Sequence, residues 1–125
     1  MTFRQLILPL ALAVALPAAL SAAPAMNGKS PKGTILTDSH SMSLYTFAKD
    51  KQARSACNGD CAAKWPPLTA KPGDKPEGRF GIIARDDGAL QWTYKGKPLY
   101  TWVKDTKSGD VSGDGVKGVW HLARP

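Results

Sequence analysis

The chain reads as a small all-β single domain built from two pseudo-symmetric repeats, with about six or seven strands and little helix. Three observations predict this. The run Leu44-Tyr45-Thr46-Phe47-Ala48-Lys49-Asp50 returns 55 residues later as Leu99-Tyr100-Thr101-Trp102-Val103-Lys104-Asp105. Each copy is followed by a loop holding Gly-Asp (Gly59-Asp60, Gly113-Asp114) and then by a tryptophan, Trp65 and Trp120, again 55 residues apart. Between these landmarks lie short runs of β-branched and aromatic residues punctuated by turn residues, with almost no 3.6-residue periodicity.

The elements follow in chain order. Residues 1–25 have the form of a secretory leader: Arg4 precedes an apolar run from Leu6 to Leu20, and Ala23-Pro24-Ala25 offers small residues where a signal peptidase reads, so cleavage is expected near Ala25. Pro9 and Pro17 interrupt that run, which is short for a membrane span. Residues 26–32, rich in Gly, Ser and Pro, are expected to be a flexible leader to the β domain, 33–125. Repeat one occupies 33–70, a linker with two prolines and two glycines occupies 71–78, and repeat two occupies 79–125.

Within repeat one, Thr34 to Thr37 is a strand candidate and Asp38 to Ser43 a polar turn into the aromatic strand. Cys61 to Lys64 is the one helical turn, ended by Pro66-Pro67. In repeat two, Phe80 to Arg85, Leu90 to Tyr94 and Lys97 to Val103 form a meander with turns at Asp86-Asp87-Gly88 and Lys95-Gly96. A last strand surrounds Trp120. Alternation puts Tyr45 and Phe47 on one face of their strand, and Tyr100 and Trp102 on one face of theirs, with Leu44 and Leu99 on the opposite faces. Both faces are apolar enough to need cover, which predicts two copies packed about a pseudo-twofold axis, with side-by-side packing in one sheet as the alternative. Asp50 and Asp105 end these strands, where a carboxylate accepts N–H groups from the following turn.

Lys and Arg outnumber Asp and Glu by 17 to 10, a net charge of +7, and the expected leader holds only Arg4 of it. That balance favours an anionic envelope component, a polymer or a protein, as partner. Nucleic acid is excluded by export, and no transmembrane segment is expected after cleavage. Lys49, Lys64, Lys71, Lys95, Lys104 and Lys117 are scattered along the chain, the pattern of a solvated surface.

The only cysteines, Cys57 and Cys61, enclose Asn58-Gly59-Asp60. In an exported chain such a pair most simply forms a disulfide, worth about 2 kcal/mol by chain entropy. The alternative is a redox-active or Cu(I)-binding thiol pair. His40 and Met42, two apart, and His121 are the candidate metal ligands that go with copper. Asp105 to Gly115 is rich in oxygens and glycines but lacks the spacing of a calcium loop. No catalytic residues are assigned and no cofactor is expected: Glu77 is the only glutamate and lies in the linker, and no nucleophile elbow, zinc-protease helix or phosphate loop occurs. An enzyme would need Asp60, Asp114 and His121 gathered in one cleft.

The segments Tyr45 to Asp50, Cys57 to Cys61, Trp65-Pro66-Pro67-Leu68, Lys97 to Asp105 and Gly118 to His121, taken together and in order, resemble the bacterial secreted repeat of unknown function. That family is also described as predicted lipoproteins with a Tyr-x-(Phe/Trp/Tyr)-x-x-Asp motif, here Tyr45, Phe47, Asp50 and Tyr100, Trp102, Asp105. The resemblance implies an exported envelope protein and carries no activity with it. This chain lacks the lipid-attachment cysteine of many relatives. Two readings stand: a non-catalytic binding or structural module, periplasmic or secreted, and a periplasmic copper or thiol redox protein.

Overall fold

A computed structural model describes residues 23–125; the leader, up to residue 22, lies outside them. The order is β1 (Met26–Ser30), β2 (Gly33–Thr37), β3 (Tyr45–Phe47), α1 (Asp60–Lys64), β4 (Thr69–Ala70), β5 (Phe80–Ala84), β6 (Leu90–Tyr94), β7 (Lys97–Pro98), a 3-10 turn (Val116–Gly118) and β8 (Trp120–Leu122). Strands β1 and β2 form a hairpin, and β3 pairs with β8. Strand β6 is flanked on one side by β5 and on the other by β4 and β7, which pair with its opposite ends. All these pairings are antiparallel.

Three expectations are corrected. Residues 26–30 are not a loose leader but strand β1, paired residue for residue with β2. Composition hid this because Gly28 and Ser30 are poor strand formers. Gly28 lies where a Cβ would meet the Thr37 side chain across the hairpin, and Gly33 turns the chain at φ 96°. The described residues also hold eight strands, not six or seven, since two-residue β4 and β7 are too short to show a period. The strand expected over Lys97 to Val103 is also shortened to Lys97–Pro98, with Tyr100 held by isolated bridges to Tyr45 and Pro67; the other elements fall close to where the sequence implies. Lys95 (φ 51°) and Gly96 (φ 82°) make the left-handed two-residue turn between β6 and β7, and no strand forms in 71–78.

The two repeats are interlocked by exchange of their tails. In the first half Leu44 N–H bonds Leu36 O (3.0 Å), and both residues then bond Ala123 of repeat two (Leu36 N–H to Ala123 O 2.9 Å, Ala123 N–H to Leu44 O 2.8 Å). In the second half Leu99 N–H bonds Trp92 O (3.0 Å), and the third partner is Leu68 of repeat one (Trp92 N–H to Leu68 O 2.8 Å, Leu68 N–H to Leu99 O 2.9 Å). Neither copy can therefore satisfy its backbone alone. Between the halves, Tyr45 and Tyr100 exchange both backbone hydrogen bonds, 2.8 and 3.0 Å, which places the pseudo-twofold axis at their midpoint.

The faces separate into two cores as the alternation predicts. Tyr45, Trp65, Tyr100, Trp102 and Trp120 are buried with Ile35, Leu122 and Cys57, and the half-buried Phe47 packs on them. On the other face Leu36, Leu44, Trp92 and Leu99 are buried with Ala25, Ala70 and Ala123, against half-buried Ile82. Tyr45 and Tyr100, the equivalent residues, are both fully buried.

Candidate functional site

The first core is ordered around a ladder of four stacked rings. Phe47 stacks on Trp120 at 4.2 Å, Trp120 on Trp65 at 3.8 Å with planes 3° apart, and Trp65 on Trp102 at 3.9 Å. Phe47 and Trp102 are equivalent in the repeats, as are Trp65 and Trp120, so the axis that relates Tyr45 to Tyr100 also bisects the ladder. Each tyrosine meets the tryptophan of its own repeat edge-on, Tyr45 with Trp65 at 5.3 Å and Tyr100 with Trp120 at 5.1 Å, the geometry that sets a ring's positive edge on a neighbour's negative face.

The tyrosine hydroxyls cross between repeats. Tyr45 donates to Asp105 Oδ2 at 2.6 Å and Tyr100 to Asp50 Oδ2 at 2.7 Å. Burial raises both phenols above their ordinary range, and each carboxylate that accepts the proton raises its own phenol further. The carboxylates in turn hold the loops after their strands: Asp50 accepts Ala56 N–H at 2.7 Å, and Asp105 accepts Ser112 N–H at 3.0 Å and its hydroxyl at 2.7 Å. Burial raises the Asp50 carboxyl, with the Ala56 N–H, the Tyr100 hydroxyl and the Arg85 charge pulling the other way.

Over the edge of the ladder opens a groove of about 920 Å³, the upper part of the range for small-molecule sites. Its floor is Phe47, Trp65, Trp102 and Trp120; its walls include Cys61, Val116, Val119 and the half-exposed Val103. Lys49, Lys64, Lys104 and Lys117 stand around it with a single carboxylate, Asp60. Lys104 Nζ sits 5.7 Å from the Trp102 ring centre. Lys117 holds φ 52° between Gly115 and Gly118, a conformation that strains a side-chain-bearing residue. Four of the six lysines that the sequence scatters thus converge, Lys71 and Lys95 lying elsewhere. The available signal was the 55-residue offset of Lys49 and Lys104; nothing in the sequence marked Lys64 or Lys117.

The other sequence candidates are placed apart. Cys57 and Cys61 are joined as a disulfide, Cys57 fully buried and Cys61 lining the groove. His40 and Met42 lie in the β2–β3 turn, where their N–H groups bond Asp38 Oδ1 at 2.8 and 3.0 Å. His121 is exposed on β8 opposite Thr46, beside a shallow pocket of about 290 Å³ that neither His40 nor Met42 lines. Among the described residues no three His, Cys, Asp or Glu side chains gather as a metal site. Asp60 lines the groove, and His121 the shallow pocket. Asp114 pairs with Lys32 at 3.0 Å and accepts Leu122 N–H at 3.1 Å. Burial works against the Asp114 charge, yet those donors, with His121 nearby, hold its carboxyl below the ordinary value.

Sequence reasoning missed Arg85. Its buried guanidinium donates to Gln91 Oε1 (2.7 Å), Ser55 Oγ (3.1 Å) and the Cys57 carbonyl, and it fixes the disulfide loop to repeat two. An arginine ending a strand before Asp-Asp-Gly carries no sign of burial.

A tail-exchanged double repeat with an aromatic ladder defines a class: a duplicated β-module. The family model described as a secreted repeat of unknown function matches residues 27–69 and again 81–124, and the chain belongs to that family. Both matched spans begin inside strands that open their halves, β1 and β5. No curated protein and no solved structure matches the chain. No helix of the described residues is long and apolar enough to cross a membrane.

Proposed function

We propose that this protein is a non-catalytic binding module of the cell envelope, released from its leader just ahead of Ala25, which packs in the second core, and that its groove takes an anionic partner with apolar surface. The observation that carries this reading is the convergence of four lysines and one carboxylate around an apolar floor. A cleft lined by one sign of charge over low-dielectric walls concentrates counter-charge, and the half-exposed Val103 on the groove wall gives an apolar body something to cover. The strained backbone at Lys117 is consistent with a position kept for its side chain.

The test uses anilinonaphthalene sulfonate, an apolar anion, followed by its own fluorescence. We expect one site, weakened by added salt, with at least about tenfold loss of affinity when Lys49, Lys64, Lys104 and Lys117 are changed together to Ala. Changing Lys71, Lys75, Lys95 and Lys97 instead should leave binding within about twofold. Equal losses in the two variants would mean diffuse charge attraction and would end the reading. Native protein with two free thiols holding Cu(I) would replace it with the copper reading.

A further inference from the structure

Resting on the groove as the ligand site, we infer that its ligand is a two-ended anion: an apolar body with an acidic group at each end, bound across the pseudo-twofold axis. The ladder has two like ends. Phe47 and Trp102 are its outer rings, and three stacking steps of 4.2, 3.8 and 3.9 Å separate them. Each outer ring has a lysine two residues further along the chain, Lys49 after Phe47 and Lys104 after Trp102, and both lysines line the groove. Lys104 is seated against its ring; Lys49 is its counterpart in the other repeat by the 55-residue offset and lines the same groove.

Duplication thus sets two ammonium groups at opposite ends of an apolar floor, related by the symmetry of the fold. The faces of the inner rings are covered by their neighbours in the stack, and Trp65 and Trp120 are only 4% and 3% exposed. A flat ring or sugar therefore finds no free face in the middle, whereas a chain or other narrow apolar body can lie along the ring edges between Val103 and Val119. A ligand with one acidic end satisfies one lysine and leaves the other unpaired; one with two satisfies both. The two contacts on one molecule reinforce each other as in any bivalent ligand.

The experiment titrates the disulfide-intact protein with a series of α,ω-alkanedioates and with the monocarboxylates of matching length, below their micelle concentrations, at fixed ionic strength, reading tryptophan fluorescence. Dodecanedioate, whose carboxylates span roughly the length of three stacking steps plus the lysine reach, is expected to bind about tenfold more tightly than dodecanoate and more tightly than hexanedioate. Lys49→Ala and Lys104→Ala should each remove most of that preference, by similar factors, with little effect on dodecanoate. Equal affinity for dodecanedioate and dodecanoate overturns the two-ended ligand while leaving the anion groove in place, provided anilinonaphthalene sulfonate still binds there. A loss confined to one lysine variant overturns it as well. If neither the dicarboxylates nor the sulfonate binds, the groove reading itself has failed.

Discussion

The same lock is built twice in this molecule, from unlike surroundings. At one end Tyr45 reaches Asp105, and its oxygen also accepts Gly113 N–H at 3.1 Å, beneath fully buried Ile35. At the other Tyr100 reaches Asp50 and shares a hydrogen bond with Ser55 Oγ at 2.7 Å. There the residue matching Ile35, one before the shared β ladder position, is fully buried Gln91, whose amide bonds Leu99 O at 2.8 Å and Arg85. One end is sealed by an aliphatic side chain and close backbone; the other by a polar network running Arg85, Ser55, Tyr100, Asp50, with the disulfide attached. What the copies share is what the interlock demands, a phenol, a carboxylate and a tryptophan in register. What surrounds them has diverged because either an apolar seal or a hydrogen-bonded polar one can close the end, although the polar one leaves the buried Arg85 Nε without a partner.

The strongest way to break the comparison is to remove a central rung. Trp65→Ala and Trp120→Ala should each destabilise by roughly 3 to 5 kcal/mol, as deletion of a buried aromatic does, because each ring stacks on two others and meets a tyrosine edge. Denaturant unfolding of the two variants should give losses alike within about 1 kcal/mol. A wide gap would show that the ladder is not energetically symmetric about its axis.

A smaller effect separates the two locks. Tyr45→Phe leaves the buried Gly113 N–H without its acceptor and takes a donor from Asp105, whereas after Tyr100→Phe the Ser55 hydroxyl still has Arg85. Leaving a buried polar group unmet costs about 1 to 3 kcal/mol. Tyr45→Phe should therefore lower stability by about 1 kcal/mol more than Tyr100→Phe, measured by the same unfolding curves. The reverse order would mean that the polar end depends more on its phenol than its extra donors suggest.

How much of this was legible follows from what repeats and what does not. Tyr45, Tyr100, Trp65 and Trp120 declared a two-fold core because identical side chains at a fixed offset must find identical environments. The alternation of Leu44 with Tyr45 assigned the two faces correctly. Tail exchange was not legible: Leu68 and Ala123 give the same hydrophobic pattern whether they pair with their own repeat or the other. Strand β1 was missed because Gly28 is selected by close approach to Thr37 and not by β propensity. For the groove, Lys64 sits on α1 and Lys117 on a strained turn, and their convergence is a product of tertiary packing that no local spacing records.

The smallest effect tests the electrostatics of the two halves, and its sign differs between them. Asp114 has a folded-state carboxyl below its ordinary value, through Lys32 and the Leu122 N–H. Its contribution is present above the unfolded value and is lost as pH falls through the folded one, so the deficit of Asp114→Asn at pH 7 should shrink below about pH 4. Asp50 is raised by burial. Its contribution is fully present when protonated and is lost as pH rises through its folded value, so wild type should gain on Asp50→Asn as the solution is acidified. Thermal melts of both variants against wild type, from pH 7 to pH 3, read the two slopes directly. Opposite slopes would tie the charge asymmetry to the buried position of Asp50 beside Tyr100. Parallel slopes would show that the Arg85 guanidinium and the Ala56 N–H offset burial fully, leaving the two halves electrically alike despite their different walls.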